Sequence, residues 1–259
     1  MRDLTVTLIQ DATVWHDAGA NQALYGASVR AAPRSDLIVL PETFLSGFSN
    51  AADAETMDGQ GIEWLRALSA EVDAVITGSL VVRDQDLVVN RLVWARPDGT
   101  LAIYDKRHLF RMAKEHERYV AGAERLIVDL HGWRICPQVC YDLRFPVWLR
   151  NRMGDGRMDY DALLFVANWP SPRHHHWRTL LQARAIENLA YCVAVNRVGT
   201  DGNQLQYLGG SAAIDFLGNH IAELGSDPGS VTVTLSAAKL AAHRERFPAW
   251  MDADEFELK

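Results

Sequence analysis

The chain has 259 residues, 48% of them hydrophobic and 23% charged, within the range of a soluble α/β domain. Lysine and arginine number 26 against 33 aspartates and glutamates, a net charge of −7. With "RHHHWR" (173–178) as its only short basic cluster, this argues against a nucleic-acid partner and for a small-molecule ligand. No apolar run reaches the roughly 18 residues of a membrane span. The three cysteines show no repeated C-x-x-C spacing, so the expectation is a cytoplasmic protein with free thiols.

The first element is a strand, "TVTLIQ" (5–10), inside an N-terminus whose apolar core is too short for a signal peptide. A helix over 21–32 follows, then a strand in "DLIVLPE" (36–42), a helix over 61–72 and a strand in "AVITGSLVVR" (74–83). Three hairpins are predicted from their turn residues: Pro97-Asp98-Gly99, His131-Gly132 and Gly218-Asn219. Between the second and third lie strands at 161–169 and 189–199 and a helix over 177–190, and a last helix covers 235–247. Alternating strands and helices with inserted hairpins predict a mixed sheet, covered by helices on one face and a second sheet on the other. No linker divides the chain, so residues 1–259 are expected to form one domain. A faint repeat of strand–helix–strand–hairpin joins its two halves. The ending, 246–259, sets Phe247, Trp250 and Phe256 among acids and suits packing on a partner subunit.

Three residues stand where apolar strands stop. Cys140 follows "WRICPQV" and precedes a charged turn, so its thiol can face a crevice beyond the strand ends while the Tyr141 N–H aims at a developing oxyanion. Glu42 follows the apolar run 37–40, where a poorly solvated carboxylate suits a general base. Lys106 ends "LAIYD"; a lysine reaching the same pocket adds a fixed positive charge, expected to lower the thiol's pKa and to hold an oxyanion. Cys136 and Cys192 lie inside apolar strands and read as buried. Nucleophile, base and electrostatic stabiliser form a minimal set for cysteine-dependent acyl transfer.

"LPETF", "YDKRHLF" and "VCYDLRFP", with Glu42 to Lys106 spaced by 64 positions and Lys106 to Cys140 by 34, resemble the three motifs of the nitrilase, or carbon–nitrogen hydrolase, superfamily. "CYDLRFP", "ANWP" and "RAIEN" look most like its YafV-type ω-amidase branch, although many relatives carry glutamate where this chain has Val147. The resemblance implies a four-layer α-β-β-α sandwich, paired into a homodimer or higher homo-oligomer. It implies Cys140 as nucleophile, Glu42 as base and Lys106 as oxyanion stabiliser, with no cofactor and no metal. A second glutamate is implied seven residues before a glycine; Glu115 before Gly122 fits, with Glu117 as the competing choice. Arg144 is implied as the holder of a substrate carboxylate, the alternative being that it ties the turn down through Asp142. Asn168 and Trp169 are placed on the pocket wall, with capping and packing as the alternative.

The implied reaction is hydrolysis of the terminal amide of a 2-oxo dicarboxylic acid monoamide, such as 2-oxoglutaramate or 2-oxosuccinamate, through a thioester. Competing readings are nitrile, N-carbamoyl or deaminated-glutathione hydrolysis, a non-catalytic binding protein on the same fold, and a metal hydrolase on His174, His175 and His176. Consecutive helical histidines point about 100° apart, which disfavours the last. They read instead as helix N-terminal and interface residues, with His174 near the pocket mouth.

Overall fold

The computed structural model describes residues 1–48, 53–154 and 156–257. In chain order the first half holds β1 (Leu4–Gln10), α1 (Ala18–Ala31), β2 (Leu37–Val39), α2 (Gln60–Val72), β3 (Val75–Asp84), β4 (Leu87–Ala95) and β5 (Leu101–Asp105). The second half holds β6 (Val128–Leu130), β7 (Trp133–Val139), α3 (Pro146–Leu149), β8 (Met153–Gly154), β9 (Arg157–Met158), β10 (Ala162–Ala167), α4 (His174–Glu187), β11 (Tyr191–Asn196), β12 (Val198–Thr200), β13 (Gln206–Leu208), β14 (Ala212–Ile214), β15 (His220–Glu223), β16 (Gly229–Leu235) and α5 (Ala237–Arg246).

Two six-stranded sheets form, in the orders β16-β1-β2-β3-β4-β5 and β15-β14-β11-β10-β7-β6. Both have one pattern. Three central strands run parallel (β1, β2, β3 and β7, β10, β11), two antiparallel strands follow on one side (β4, β5 and β14, β15), and one closes the other side (β16 and β6). The repeat expected from the sequence is therefore present in the sheet topology.

Strand periodicity builds the layers. Leu37 and Val39 of β2 point into the core shared by the two sheets, while Ile38 and the following Leu40 point toward α1 and α2. An apolar run covered on both faces is what a central parallel strand requires. On α2, Ile62, Leu65 and Leu68 recur on one face and pack on the first sheet; on α4, Trp177, Leu181 and Ala185 recur every four residues and cover the second. α1 is capped by Asp17, whose carboxylate accepts the Ala20 N–H at 2.9 Å. The result is the expected α-β-β-α sandwich.

The three predicted turns join β4 to β5, β6 to β7 and β14 to β15. At the second, His131 (φ 52°) and Gly132 (φ 84°) both take the left-handed conformation that a tight two-residue hairpin turn demands. Several elements were not expected. β3 and β4 form a long hairpin turning at Gln85-Asp86, and β16, a plain alternation of valine and threonine, closes the edge beside β1. α4 begins at His174, three residues before its predicted start. Beyond α5, Phe247 stays exposed, while Phe256 lies beside Val147 and Trp148 of its own chain; residues 258 and 259 of the proposed interface tail fall outside the described residues.

Candidate active site

The carboxyl ends of β2, β5, β7 and β10 meet at one place. The crevice lies beyond the strand ends, as expected, between the ends of the two facing sheets. It opens into a cavity of about 380 Å³.

Glu42 is fully buried, three residues past β2, where Pro41 ends the strand. One oxygen accepts the Lys106 ammonium at 2.9 Å and the Asn90 amide at 2.8 Å; the other accepts the Asn168 backbone N–H at 2.7 Å. Lys106, the residue after β5, is 1% exposed and also donates to Glu115 at 2.9 Å. Glu115 is fully buried in a single 3₁₀ turn and accepts the Phe110 N–H at 2.6 Å. Glu117 of the same turn is exposed and points to Lys114, so Glu115 is the glutamate that enters the cluster. Gly122 explains the seven-residue spacing: a Cβ there would sit 2.2 Å from the Asp105 carbonyl oxygen, and its N–H donates to the Lys106 carbonyl at 3.0 Å. Only glycine lets the segment carrying Glu115 lie against the end of β5.

Cys140 follows β7 with φ 45°, a left-handed conformation that costs a non-glycine residue on the order of 1–2 kcal/mol. The turn is held by Asp142, which is fully buried and accepts four hydrogen bonds: from the Val139 N–H (3.1 Å), the Tyr104 hydroxyl (2.8 Å), the His108 N–H (2.9 Å) and the His108 ring (2.7 Å). Tyr104 and His108 flank Lys106, so one carboxylate couples the lysine segment to the cysteine turn. The Cys140 sulfur lies 4.0 Å from the Asn168 carbonyl oxygen and lines the cavity beside Tyr141.

Burial alone would strip the proton from Lys106, but Glu115 and Glu42 more than offset it and hold the ammonium's pKa well above its usual value. Burial also raises the Glu115 pKa; Lys106 opposes this and Glu42 reinforces it. The Cys140 thiol is pushed well above its usual value by burial and then by Glu42, with Lys106 pulling the other way and losing. The expectation that Lys106 leaves the thiol with a lowered pKa is not met: in this dry site burial and two carboxylates outweigh one ammonium. Cys136 and Cys192 are fully buried in their strands, as read, and burial pushes the Cys136 thiol up to about 12.

Arg144 lies on the cavity wall, its guanidinium 4.8 Å from the centre of the Trp169 ring and 3.0 Å from Nδ1 of His176. It makes no bond to Asp142, whose oxygens are taken as described. Trp169 is thus a platform, with its indole N–H on the Arg173 carbonyl at 2.8 Å. The Asn168 amide nitrogen donates to the Glu42 carbonyl and the Thr43 hydroxyl, both at 2.9 Å, so this side chain chiefly fixes Glu42; its Oδ1 is buried without a partner. Of the three histidines, His176 bonds the wall residue Arg144, and none of them lines the cavity itself. His174 lies in a separate groove with Arg178 and Glu223. Among the described residues, no three His, Cys, Asp or Glu side chains are grouped to hold a metal ion.

Sequence reasoning missed Asn90, a lone amide inside the apolar run of β4 that marked a buried polar partner. It also missed the wall supplied by Phe110, Arg173 and the β12–β13 hairpin with Asp201 and Tyr207.

The sandwich with a thiol, an ammonium and two carboxylates at the sheet ends defines the class: the carbon–nitrogen hydrolase family matches residues 5–245, and the chain belongs to it as a hydrolase of carbon–nitrogen bonds. It is 49% identical to the omega-amidase YafV of Yersinia enterocolitica over 100% of both chains, and 33% identical to a 2-oxoglutaramate amidase of Bacillus subtilis over 84% of this chain and 85% of that one. Among solved structures, a CN-hydrolase superfamily protein of Xanthomonas campestris, carrying an arsenic adduct in its active site, superposes with a TM-score of 0.98 at 57% identity over 100% of both chains. Nit3 of Saccharomyces cerevisiae, at 22% identity over 95% of each chain and a TM-score of 0.85, shares the fold.

Proposed function

We propose that this hydrolase is an ω-amidase that converts the terminal amide of a 2-oxo dicarboxylic acid monoamide to the dicarboxylate and ammonia. The observation that carries the reading is the buried Lys106 ammonium, 2.9 Å from both Glu42 and Glu115, set beneath the Cys140 turn at a cavity wall. The names of the relatives at 49% and 33% identity support the amide as substrate. Arg144, with no carboxylate partner among the described residues, supports an anionic substrate end.

The thiol passes its proton to Glu42 as its sulfur attacks the amide carbonyl. The oxyanion forms against Lys106 and the Tyr141 N–H, where each fixed donor is worth about 3 kcal/mol of barrier. Glu42 returns the proton to the nitrogen, the C–N bond breaks, and ammonia leaves a thioester. Water, deprotonated by Glu42, then attacks the thioester; the carboxylate departs and the thiolate regains its proton. Glu115 keeps Lys106 charged and in place throughout. Each step is acid–base and nucleophilic chemistry, and none calls for a metal or cofactor.

Ammonia release from a panel of 2-oxo acid amides, simple amides, nitriles and N-carbamoyl compounds tests the reading. Cys140→Ala is expected to abolish turnover, and wild-type enzyme stopped with acid during turnover should carry the acyl mass on the Cys140 peptide. Full activity of Cys140→Ala would overturn the mechanism. Turnover of a nitrile or carbamoyl compound without that of the oxo-acid amides would overturn the substrate class. We also propose that the chain assembles into a homodimer or higher homo-oligomer; light scattering at the mass of one chain would refute this.

A further inference from the structure

The cavity wall carries more positive charge than the proposed reaction has used. Arg144 and Arg173 both line it, and neither has a carboxylate partner among the described residues. The nearby acids are engaged elsewhere. Asp201 accepts from the Asn203 and Leu205 backbone N–H groups at 2.8 and 3.0 Å and from the Tyr207 hydroxyl at 2.9 Å, while Glu42 and Glu115 face Lys106.

The two arginines are mechanically joined. Trp169 lies under the Arg144 guanidinium and donates its indole N–H to the Arg173 carbonyl. The guanidinium of Arg173 rests 5.1 Å from the centre of the Phe110 ring. Each therefore lies over an aromatic face that limits its motion without neutralising it. They differ in one respect. Arg144 already directs one nitrogen at His176, whereas among the described residues no side-chain hydrogen bond or ion pair engages Arg173. Arg173 also stands at the N-terminal end of α4, a helix of 14 residues whose dipole adds to the same sign. Two like charges held together on a concave wall are unfavourable until an anion enters between them, and the free fork of Arg173 is the one shaped to take a carboxylate through two parallel bonds.

We propose that Arg173 is a specificity-determining residue, forming with Arg144 a two-guanidinium clamp for the carboxylate of the substrate while the amide lies at Cys140. This rests on the anionic-substrate reading above and assigns the selection of that anion to a residue the three motifs do not contain.

The test is the ratio of kcat/KM for a dicarboxylic acid monoamide to that for its neutral methyl ester, in the wild type, Arg173→Met, Arg173→Lys and Arg144→Met. Wild type favours the acid. Arg173→Met is expected to reduce that preference at least tenfold, mainly through KM for the acid, and Arg173→Lys to retain an intermediate preference by keeping charge without the fork. Alkylation of Cys140 by the neutral reagent iodoacetamide, at the wild-type rate, reports that the site remains assembled. If Arg144→Met loses the preference and Arg173→Met keeps it, the clamp is wrong and the anionic-substrate reading stands. If the wild type itself handles acid and ester alike, the reading and the clamp fail together.

Discussion

Replacing Asp142 by asparagine probes the link between the lysine segment and the cysteine turn without altering shape. The aspartate receives hydrogen bonds at both oxygens: the His108 N–H and ring at one, the Val139 N–H and Tyr104 hydroxyl at the other. Asparagine turns one end into a donor. The Tyr104 hydroxyl can rotate to accept, and the His108 ring can accept in its other tautomer. Neither backbone N–H can adapt, so either orientation leaves one buried donor facing another. That costs about 1–3 kcal/mol, and the surviving bonds lose the strength a charged acceptor gives them. The expected fall in stability is about 2–4 kcal/mol, read as a lower urea midpoint with an unchanged slope. Because the Val139 N–H anchors the residue before Cys140, the thiol also shifts, and kcat should drop by roughly 10²-fold. An Asp142→Asn enzyme with a wild-type midpoint and kcat within a factor of about two would refute the claim that this carboxylate holds the strained turn.

Glu42→Gln separates thiol ionisation from turnover. The carboxylate raises the Cys140 pKa, so removing its charge should lower that pKa relative to wild type, seen as thiolate absorbance appearing at lower pH. Turnover should nevertheless fall by at least ~10²-fold, because no base remains to receive and return the proton; a gain in activity would show that thiolate population, not proton transfer, limits the rate. Gly122→Ala forces a methyl group against the Asp105 carbonyl oxygen and should displace the Glu115 segment. A loss of about 1–3 kcal/mol in thermal unfolding with reduced activity is expected, and an unchanged melting curve would show that the segment is not held there.

What could be read from the sequence follows from where each residue sits. Glu42, Lys106 and Cys140 were visible because each ends an apolar strand, and strand ends are easily located. Glu115 sits in an isolated 3₁₀ turn with no periodicity, and only the motif resemblance pointed to it; the reason for its spacing, the close approach of Gly122 to Asp105, exists only in three dimensions. The β12–β13 wall was hidden because "GTDGNQLQY" looks like any polar turn. Its place beside Cys140 comes from the path of β11. The histidines do open a helix, as their sequence suggested, but only the fold shows that His176 bonds Arg144 while His174 lies in a separate groove. The alternation in β16 was present but unread, and with it the edge of the first sheet.

The two sheets share one strand pattern, and Glu42 and Asn168 stand at corresponding places in it, just past the second parallel strand of each. They are bound to each other through the Asn168 N–H to the Glu42 carboxylate and the Asn168 amide to the Glu42 carbonyl. The buried carboxylates and ammonium belong to one half of the molecule and the sulfur to the other, so neither half alone holds the proposed site. Where the two halves differ, an acid faces an amide across the pseudo-symmetric seam, and this pair of contacts ties the end of one sheet to the end of the other.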